Sequence, residues 1–166
     1  KALGDWRAPN NWYERSVDER KQWDSYVEKQ SGPTNQELPS YAHAVGAVYR
    51  NADASDIVVT AAGGLVGEVV QIWKPKELNP FETEWGFSCM GYEISGALGI
   101  KMAKPDQDVI VFVGDGSYLL HNSDIYSSVL YDKKLIIVVC DNGGHMVINR
   151  LQLAKGGKEY LCNLQE

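Results

Sequence analysis

The stretch Val109-Ile-Val-Phe-Val-Gly-Asp-Gly-Ser117, with its counterpart Leu135-Ile-Ile-Val-Val-Cys-Asp-Asn-Gly-Gly144, decides the fold. Each stretch begins with a run that is apolar throughout rather than alternating, which is typical of a strand buried on both faces of a parallel sheet. Between them, Tyr118 to Leu130 is compatible with a helix. This order predicts an α/β fold with a doubly wound, mostly parallel sheet and helices on both faces.

The sequence before these strands extends the same pattern. Asp56-Ile-Val-Val-Thr60 has the β-branched composition of a strand and runs into a turn at Ala61-Ala-Gly-Gly64. Gly91 to Ala103 and Ser40 to Arg50 are predicted to be helices, and His43 in the second is expected to be structural. Strands and helices therefore alternate along this part of the chain.

The amino-terminal residues differ in character. Asn10 to Gln30 predicts an amphipathic helix, and the polar, proline-containing Ser31 to Pro39 predicts a linker. We interpret residues 1–38 as a helical segment and linker from a preceding domain, and residues 39–166 as the α/β domain. Because the sequence opens at Lys1 without Met, we expect a fragment, incomplete at both ends.

Composition excludes several classes of function. The 166 residues, 44% of them hydrophobic, suffice for one globular core, and no apolar run is long enough to span a membrane. A net charge of −6 without a basic cluster makes nucleic acid an unsuitable partner. Cys89, Cys140 and Cys162 lack disulfide or zinc-site spacing, which predicts a reducing, cytoplasmic setting.

Polar residues follow both apolar runs, where ligands bind in open α/β sheets. Asp115 offers a hard oxygen to a metal, Gly114 and Gly116 allow a sharp turn and close approach, and Ser117 starts a helix whose N–H groups favour phosphate. The side-chain oxygen of Asn142 then completes an oxygen-rich shell suited to Mg²⁺ bridging a diphosphate. Each loop alone is explained better as an ordinary turn.

The two loops together are more specific, because Asp115 and Asn142 lie 27 residues apart with a helix between them. From Pro39 to Gln152 the chain resembles thiamine diphosphate (ThDP) enzymes of the acetohydroxyacid synthase and decarboxylase group. The resemblance implies ThDP and Mg²⁺ as cofactors, with the metal held by Asp115, Asn142 and the carbonyl of Gly144. Gly116 and Ser117 are then cofactor contacts.

Two upstream segments extend the resemblance. Gly86-Phe-Ser-Cys-Met-Gly-Tyr92 resembles the family segment in which a bulky residue, here Met90, supports the cofactor between its rings. The Ser88 carbonyl then accepts from the 4′-amino group. Gly63, Gly64 and Leu65 are implied backbone donors to the diphosphate. A lone Met is more often a core residue, but its place one helix before GDGS favours the cofactor role.

Longer stretches, including TAAGG at 60–64 and ETEWGFSCMGYEISGALG at 82–99, resemble the branch that hydrolyses trihydroxycyclohexanedione in myo-inositol catabolism. This implies hydrolytic C–C cleavage of a polyhydroxylated cyclic 1,2-diketone to 5-deoxyglucuronate, with the thiazolium as electron sink. The loop after Asn142 departs from the DNHGF-like loop of that branch. His121, His145 and Glu84 are candidates to contact substrate or move protons, and a solvent-facing or hydrogen-bonded role suits them equally.

The resemblance also implies partners. The family's catalytic Glu belongs to the pyrimidine-binding domain of a second subunit, so a homodimer or homotetramer is expected and this chain alone should be inactive. Three alternatives stay open: an acetohydroxyacid synthase-like or decarboxylase-like enzyme, a non-catalytic binding or assembly module, and a Mg²⁺-dependent phosphoryl-transfer domain. The last is disfavoured because neither GxxxxGK[ST] nor GxGxxG occurs.

Overall fold

Helices and strands alternate in the computed structural model, which describes residues 4–75, 78 and 80–164. The described helices are α1 (Asn10–Ser31), α2 (Tyr41–Asn51), α3 (Gly63–Ile72), α4 (Tyr92–Ala103), α5 (Asp115–Leu120), α6 (Ser123–Leu130) and α7 (Met146–Ala154). The described strands are β1 (Ile57–Thr60), β2 (Phe81–Thr83), β3 (Val109–Gly114) and β4 (Ile136–Cys140).

The four described strands form one parallel sheet in the order β2-β1-β3-β4. Val58 of β1 is in register with Ile110 of β3, and Val111 of β3 with Ile137 of β4. Because the strands are parallel, the loops after β1, β3 and β4 all emerge at the same edge of the sheet. The predicted α/β class with a parallel sheet is confirmed.

Each face of the sheet carries its own apolar core, because successive side chains of a strand point to opposite faces. On one face Val58, Ile110 and Phe112 pack with residues of α1, α2 and α3, among them Val45 and Val69. On the other face β1 and β3 pack with Ile94 and Ala97 of α4, while Tyr118 and Ile125 pack against the cluster's edge. Helices therefore cover both faces, as the sequence predicted.

Two expectations about β3 and β4 have different outcomes. Strand β3 is buried from Val109 to Val113, as expected for a strand flanked by neighbours. Strand β4 is only partly buried, and Val139 is 43% exposed. The prediction of burial on both faces is wrong for β4 because this strand is the outermost of the described sheet and has a neighbour on one side only.

The helix predicted from Tyr118 to Leu130 is broken in two. Helix α5 begins earlier, at Asp115, and ends at Leu120, and α6 begins at Ser123. His121 between them has φ −150° and ψ 71°, which is not helical. Its Cβ lies 2.5 Å from where a Cβ on Gly91 would be, so the chain leaves the helix where His121 packs against the start of α4. Strand β2 and helix α7 were not predicted.

The amino-terminal helix α1 forms as predicted and packs on α2. Val27 belongs to the core on the α1–α3 face, and Arg50 donates to the Ser31 carbonyl at 2.6 Å. Gly46 permits this approach, since a Cβ there would meet the Ser31 oxygen at 2.1 Å. The division of the chain at residue 38 stays a prediction. His43 completes a capping box with Ser40 at the start of α2, so its role there is structural.

No helix among the described residues is both long and apolar enough to cross a membrane. Cys89, Cys140 and Cys162 are all free thiols, as their spacing predicted. Burial raises the pKa of the Cys140 thiol to about 11.

Candidate functional site

The loops after β1, β3 and β4, together with the loop before α4, enclose a cavity of about 230 Å³. Eleven residues singled out from the sequence line this one cavity: Gly63, Gly64, Leu65, Ser88, Met90, Gly114, Asp115, Gly116, Ser117, Asn142 and Gly144. His145 lines it as well. The parallel sheet brings them together from positions far apart in the sequence, at the edge where its loops emerge.

Asp115 is the first residue of α5 and is buried, with 8% of its surface exposed. Its Oδ1 accepts from the N–H of Gly116 at 2.9 Å, whereas Oδ2 is buried without a hydrogen-bond partner among the described residues. A buried, partnerless carboxylate oxygen is costly. A metal ion at this oxygen would remove that cost, so the observation fits a metal ligand.

Asn142 follows β4, and two hydrogen bonds orient its side chain. Its Nδ2 donates to the Tyr41 hydroxyl at the start of α2, and its Oδ1 accepts from the N–H of Gly144 at 3.1 Å. Oδ1 retains a second lone pair that a cation can use. Burial raises the pKa of Tyr41, and the nearby Cys140 and Asp115 add to that rise, while the bond from Asn142 opposes it.

The backbone around Gly144 needs glycine. Gly144 has φ +152°, and a Cβ there would lie 2.0 Å from the Cys162 carbonyl oxygen. The segment around Cys162 closes on this loop: Cys162 accepts from the N–H of His145 at 2.7 Å, and Leu164 donates to the Gly143 carbonyl at 2.8 Å. The loop that positions Asn142 is therefore stabilised by contacts with the segment around Cys162, some twenty residues further along the chain.

Helix α3 begins at Gly63, so the turn predicted at residues 61–64 is shorter than expected. Gly63, Gly64 and Leu65 are its first three residues, and their N–H groups have no acceptor inside the helix. Such an end carries partial positive charge and favours a phosphate. Gly64 also allows Val147 to approach, because a Cβ there would lie 3.0 Å from that side chain.

Gly116 forms part of the cavity floor beneath His145 and Met90. A Cβ on Gly116 would lie 2.7 Å from Cε1 of the His145 ring and 3.3 Å from the methyl group of Met90. The chain turns directly from β3 into α5 at Gly114 and Asp115, but the turn needs no left-handed glycine, because Gly114 has φ −78° and Gly116 is helical. Side chains of His145 and Met90 approach Gly116 closely, and contact of Gly116 with a cofactor stays a prediction.

Two of the three candidates for substrate contact do not line the cavity. Glu84 accepts from Cys89 N–H at 2.7 Å and from Phe87 N–H at 2.8 Å, and these bonds, the Cys89 one first, lower its pKa. Glu84 therefore shapes the loop that carries Ser88, which has φ +53°. His121 lies 3.5 Å from Asp124 and packs beneath Gly91, away from the cavity wall.

Sequence reasoning missed Tyr41 and Glu93. Tyr41 is 101 residues from Asn142 in sequence, and nothing local marks it. Glu93 is fully buried at the start of α4, where it accepts from Ala62 N–H at 3.1 Å and Gly91 N–H at 2.9 Å. An acid in the otherwise apolar Tyr92-Glu-Ile-Ser-Gly-Ala-Leu98 was the available signal. Met146, Val147 and Ile148 also line the cavity unpredicted.

Few side chains at the cavity can coordinate a metal ion. Within the described ranges, no group of three or more His, Cys, Asp or Glu side chains is placed to hold a metal. Asp115 is the only carboxylate among the described residues that line the cavity. A metal bound there needs ligands from amide or main-chain oxygens and from a bound anion, which is how Mg²⁺ is usually held beside a diphosphate.

The fold brings together, at one edge of a parallel sheet, a helix end of the kind that favours anions and a buried aspartate whose Oδ2 has no hydrogen-bond partner among the described residues, an arrangement suited to a cofactor that carries a diphosphate. Residues 61–165 match the family described as thiamine pyrophosphate enzyme, C-terminal TPP binding domain. The chain belongs to that family.

Three curated relatives bear the name 3D-(3,5/4)-trihydroxycyclohexane-1,2-dione hydrolase. The protein of Shouchella clausii is 36% identical over 168 residues, covering 95% of this chain and 26% of the relative. That of Lacticaseibacillus casei is 45% identical over 122 residues, covering 74% and 19%. That of Geobacillus thermodenitrificans is 34% identical over 189 residues, covering 99% and 29%. The chain thus spans less than a third of each relative's length.

Proposed function

We propose that this chain supplies the diphosphate- and metal-binding part of a ThDP-dependent enzyme that cleaves a C–C bond of a cyclic 1,2-diketone by hydrolysis. The partnerless Oδ2 of buried Asp115, on the cavity wall, carries the metal part of the proposal. Mg²⁺ there would be held by Asp115, Asn142 and the Gly144 carbonyl. The diphosphate would complete its coordination.

In this proposal the remaining cavity residues bind different parts of the cofactor. The N–H groups of Gly63, Gly64 and Leu65 at the start of α3 bind the diphosphate, where the helix end favours negative charge. Gly116 and Ser117 add main-chain contacts. Met90 supports the rings from the opposite wall, and the Ser88 carbonyl accepts from the aminopyrimidine.

When bound, ThDP supplies an electron sink for the breaking C–C bond. In this proposal the role of this chain is to orient the cofactor and the substrate and to exclude water from them. Met90, Val147 and Ile148 give the cavity apolar walls, which strengthens electrostatic contacts inside it. His145 lies close to Gly116, as does Met90, and in this proposal it holds or moves a proton at a substrate hydroxyl.

A second subunit completes the site in this proposal. Activation of the aminopyrimidine needs an acid, and among the described cavity residues the one carboxylate, Asp115, is assigned to the metal. As the family resemblance implies, we expect the acid to come from the pyrimidine-binding domain of a second subunit, in a homodimer or homotetramer. The isolated 166-residue chain is expected to be inactive. The free thiols fit a reducing cytoplasm.

The substrate is proposed from the relatives' name. A trihydroxycyclohexanedione offers adjacent carbonyls and several hydroxyl groups, and we place its cleavage in myo-inositol degradation because the resemblance of the sequence implies that setting. The intact protein, in its natural length, should turn over this dione with ThDP and Mg²⁺ present. Turnover of pyruvate and not of the dione would favour an acetohydroxyacid synthase-like or decarboxylase-like enzyme. Cofactor binding without either activity would favour a non-catalytic assembly module.

A further inference from the structure

The carboxylate of Glu93 joins the amino ends of two helices. Ala62 is the N-cap residue of α3, and Gly91 is the N-cap residue of α4. Glu93 Oε1 accepts from the N–H of Ala62 at 3.1 Å, and Oε2 accepts from the N–H of Gly91 at 2.9 Å. One side chain therefore satisfies a main-chain donor at both helix ends, 31 and 2 residues away in sequence.

Burial makes this link stiff. Glu93 is 0% exposed, so water does not compete for either hydrogen bond. Bonds to an ionised carboxylate are about twice as strong as neutral ones. The positive ends of two helix dipoles also favour a negative charge at this point. These contacts offset the cost of burying the carboxylate, and they do so only while both helix ends stay in place.

The two joined helix ends are next in sequence to different residues of the cavity lining. Helix α3 continues from Ala62 into Gly63, Gly64 and Leu65, the donors assigned to the diphosphate. Gly91 directly follows Met90, which is assigned to the rings. We propose that Glu93 is a positioning residue that fixes the distance between the diphosphate-binding end of α3 and the ring support at Met90. This inference rests on the proposed function.

The hydrogen bonds of Glu93 also determine which main-chain N–H groups of α3 can bind the diphosphate. Because Glu93 takes the N–H of Ala62, that group is not free for the diphosphate, which leaves the three N–H groups that follow it. A ligand that contacts α3 alone does not depend on the distance that Glu93 sets. A ligand that spans both α3 and Met90 does. The two kinds of ligand therefore separate a positioning role from a general structural one.

The test compares ThDP with inorganic pyrophosphate, each with Mg²⁺, by calorimetric titration of the intact protein. Glu93→Gln keeps the size of the side chain but leaves one acceptor oxygen for two N–H donors. We expect about tenfold weaker ThDP binding from the lost bond to a charged group. Pyrophosphate affinity should stay within about twofold of wild type on the same reasoning. Glu82→Gln, which removes an exposed strand carboxylate outside the cavity, should change neither.

Amide hydrogen exchange without cofactor gives an independent readout, because the N–H groups of Ala62 and Gly91 should exchange faster in E93Q than in wild type. If E93Q does not fold, Glu93→Asp keeps the charge but is too short to reach both donors, and the same selective loss is expected. Equal losses of ThDP and pyrophosphate affinity, or no loss of either, would overturn the positioning role. Failure of the wild-type protein to bind ThDP would instead overturn the proposed function.

Discussion

Replacing Asp115 with Asn separates metal binding from folding. The side chain keeps its shape and can still accept from the Gly116 N–H, the bond that Oδ1 makes at 2.9 Å. What disappears is the negative charge, and with it the partnerless Oδ2 on the cavity wall. Asp115→Asn should therefore damage Mg²⁺-dependent ThDP binding and spare the fold.

The structure sets the size of both effects. Asp115 is 8% exposed, so its charge would interact with the metal largely out of water. Breaking a buried charge pair by removing one partner costs about 3–5 kcal/mol, which corresponds to an affinity loss of roughly 10² to 10⁴-fold. The cofactor-free protein should lose little or no stability, because the substitution removes a buried charge while an amide NH2 group takes the place of the partnerless oxygen. Its Tm should stay unchanged or rise by a few degrees.

Calorimetric titration of ThDP in the presence of Mg²⁺ measures the affinity, and thermal unfolding without cofactor measures the Tm. Asp141→Asn is the matched control, since Asp141 follows the neighbouring strand, bonds Gly143 N–H at 2.8 Å and does not line the cavity. It should change ThDP affinity by less than about threefold, as expected of an exposed charge. A D115N protein with wild-type affinity and a lower Tm would refute the metal assignment and make Asp115 a structural residue.

Three further perturbations test the geometry of the site. Tyr41→Phe removes the acceptor for Asn142 Nδ2 and should weaken Mg²⁺ binding at saturating ThDP by about tenfold, while an unchanged titration would contradict an orienting role. Gly144→Ala puts a Cβ 2.0 Å from a main-chain oxygen at φ +152° and should lower the free energy of unfolding in urea by about 2–4 kcal/mol. The control Gly67→Ala lies in α3 with no neighbour within 4 Å and should raise it by about 0.5–1 kcal/mol. Equal effects of the two substitutions would contradict the close packing at Gly144. Glu84 has a folded-state pKa below its ordinary 4.5, so the stability it contributes is present above that pH and lost as pH falls through the lower value. Glu84→Gln should flatten this acid-side dependence of unfolding, and an unaltered pH profile would argue against its loop bonds.

The sequence predicted the sheet well because β1 and β3 carry local signals that their neighbours reinforce. Continuous β-branched runs predicted both strands, and the glycines and polar residues after them predicted loops at one sheet edge. Strand β2 was missed because Phe81-Glu-Thr83 is too short and too polar to stand out. The break at His121 was missed because it depends on contact with Gly91, and such a contact leaves no local pattern.

The sequence predicted those cavity residues that directly follow a strand, and it missed those that reach the cavity region only through tertiary contacts. Asp115 and Asn142 each follow an apolar run, so their meeting at one edge could be inferred. Tyr41 reaches Asn142 from a helix on another part of the chain. Glu93 needed the fold to show that its two acceptors serve two helix ends. Glu84 and His121 were misplaced because closeness in sequence to Met90 and Ser117 did not bring their side chains to the cavity wall.

The most direct measurement is a crystal structure of the intact protein with ThDP and Mn²⁺ in place of Mg²⁺, with the metal located by its anomalous signal. We expect the metal ion to be bound by oxygens of Asp115, Asn142 and Gly144 and of both phosphates. The distances should be about 2.1 Å for Mg²⁺ and slightly longer for Mn²⁺. The diphosphate should lie against the N–H groups of Gly63, Gly64 and Leu65. A metal bound elsewhere, or a diphosphate held at another edge of the sheet, would contradict the account.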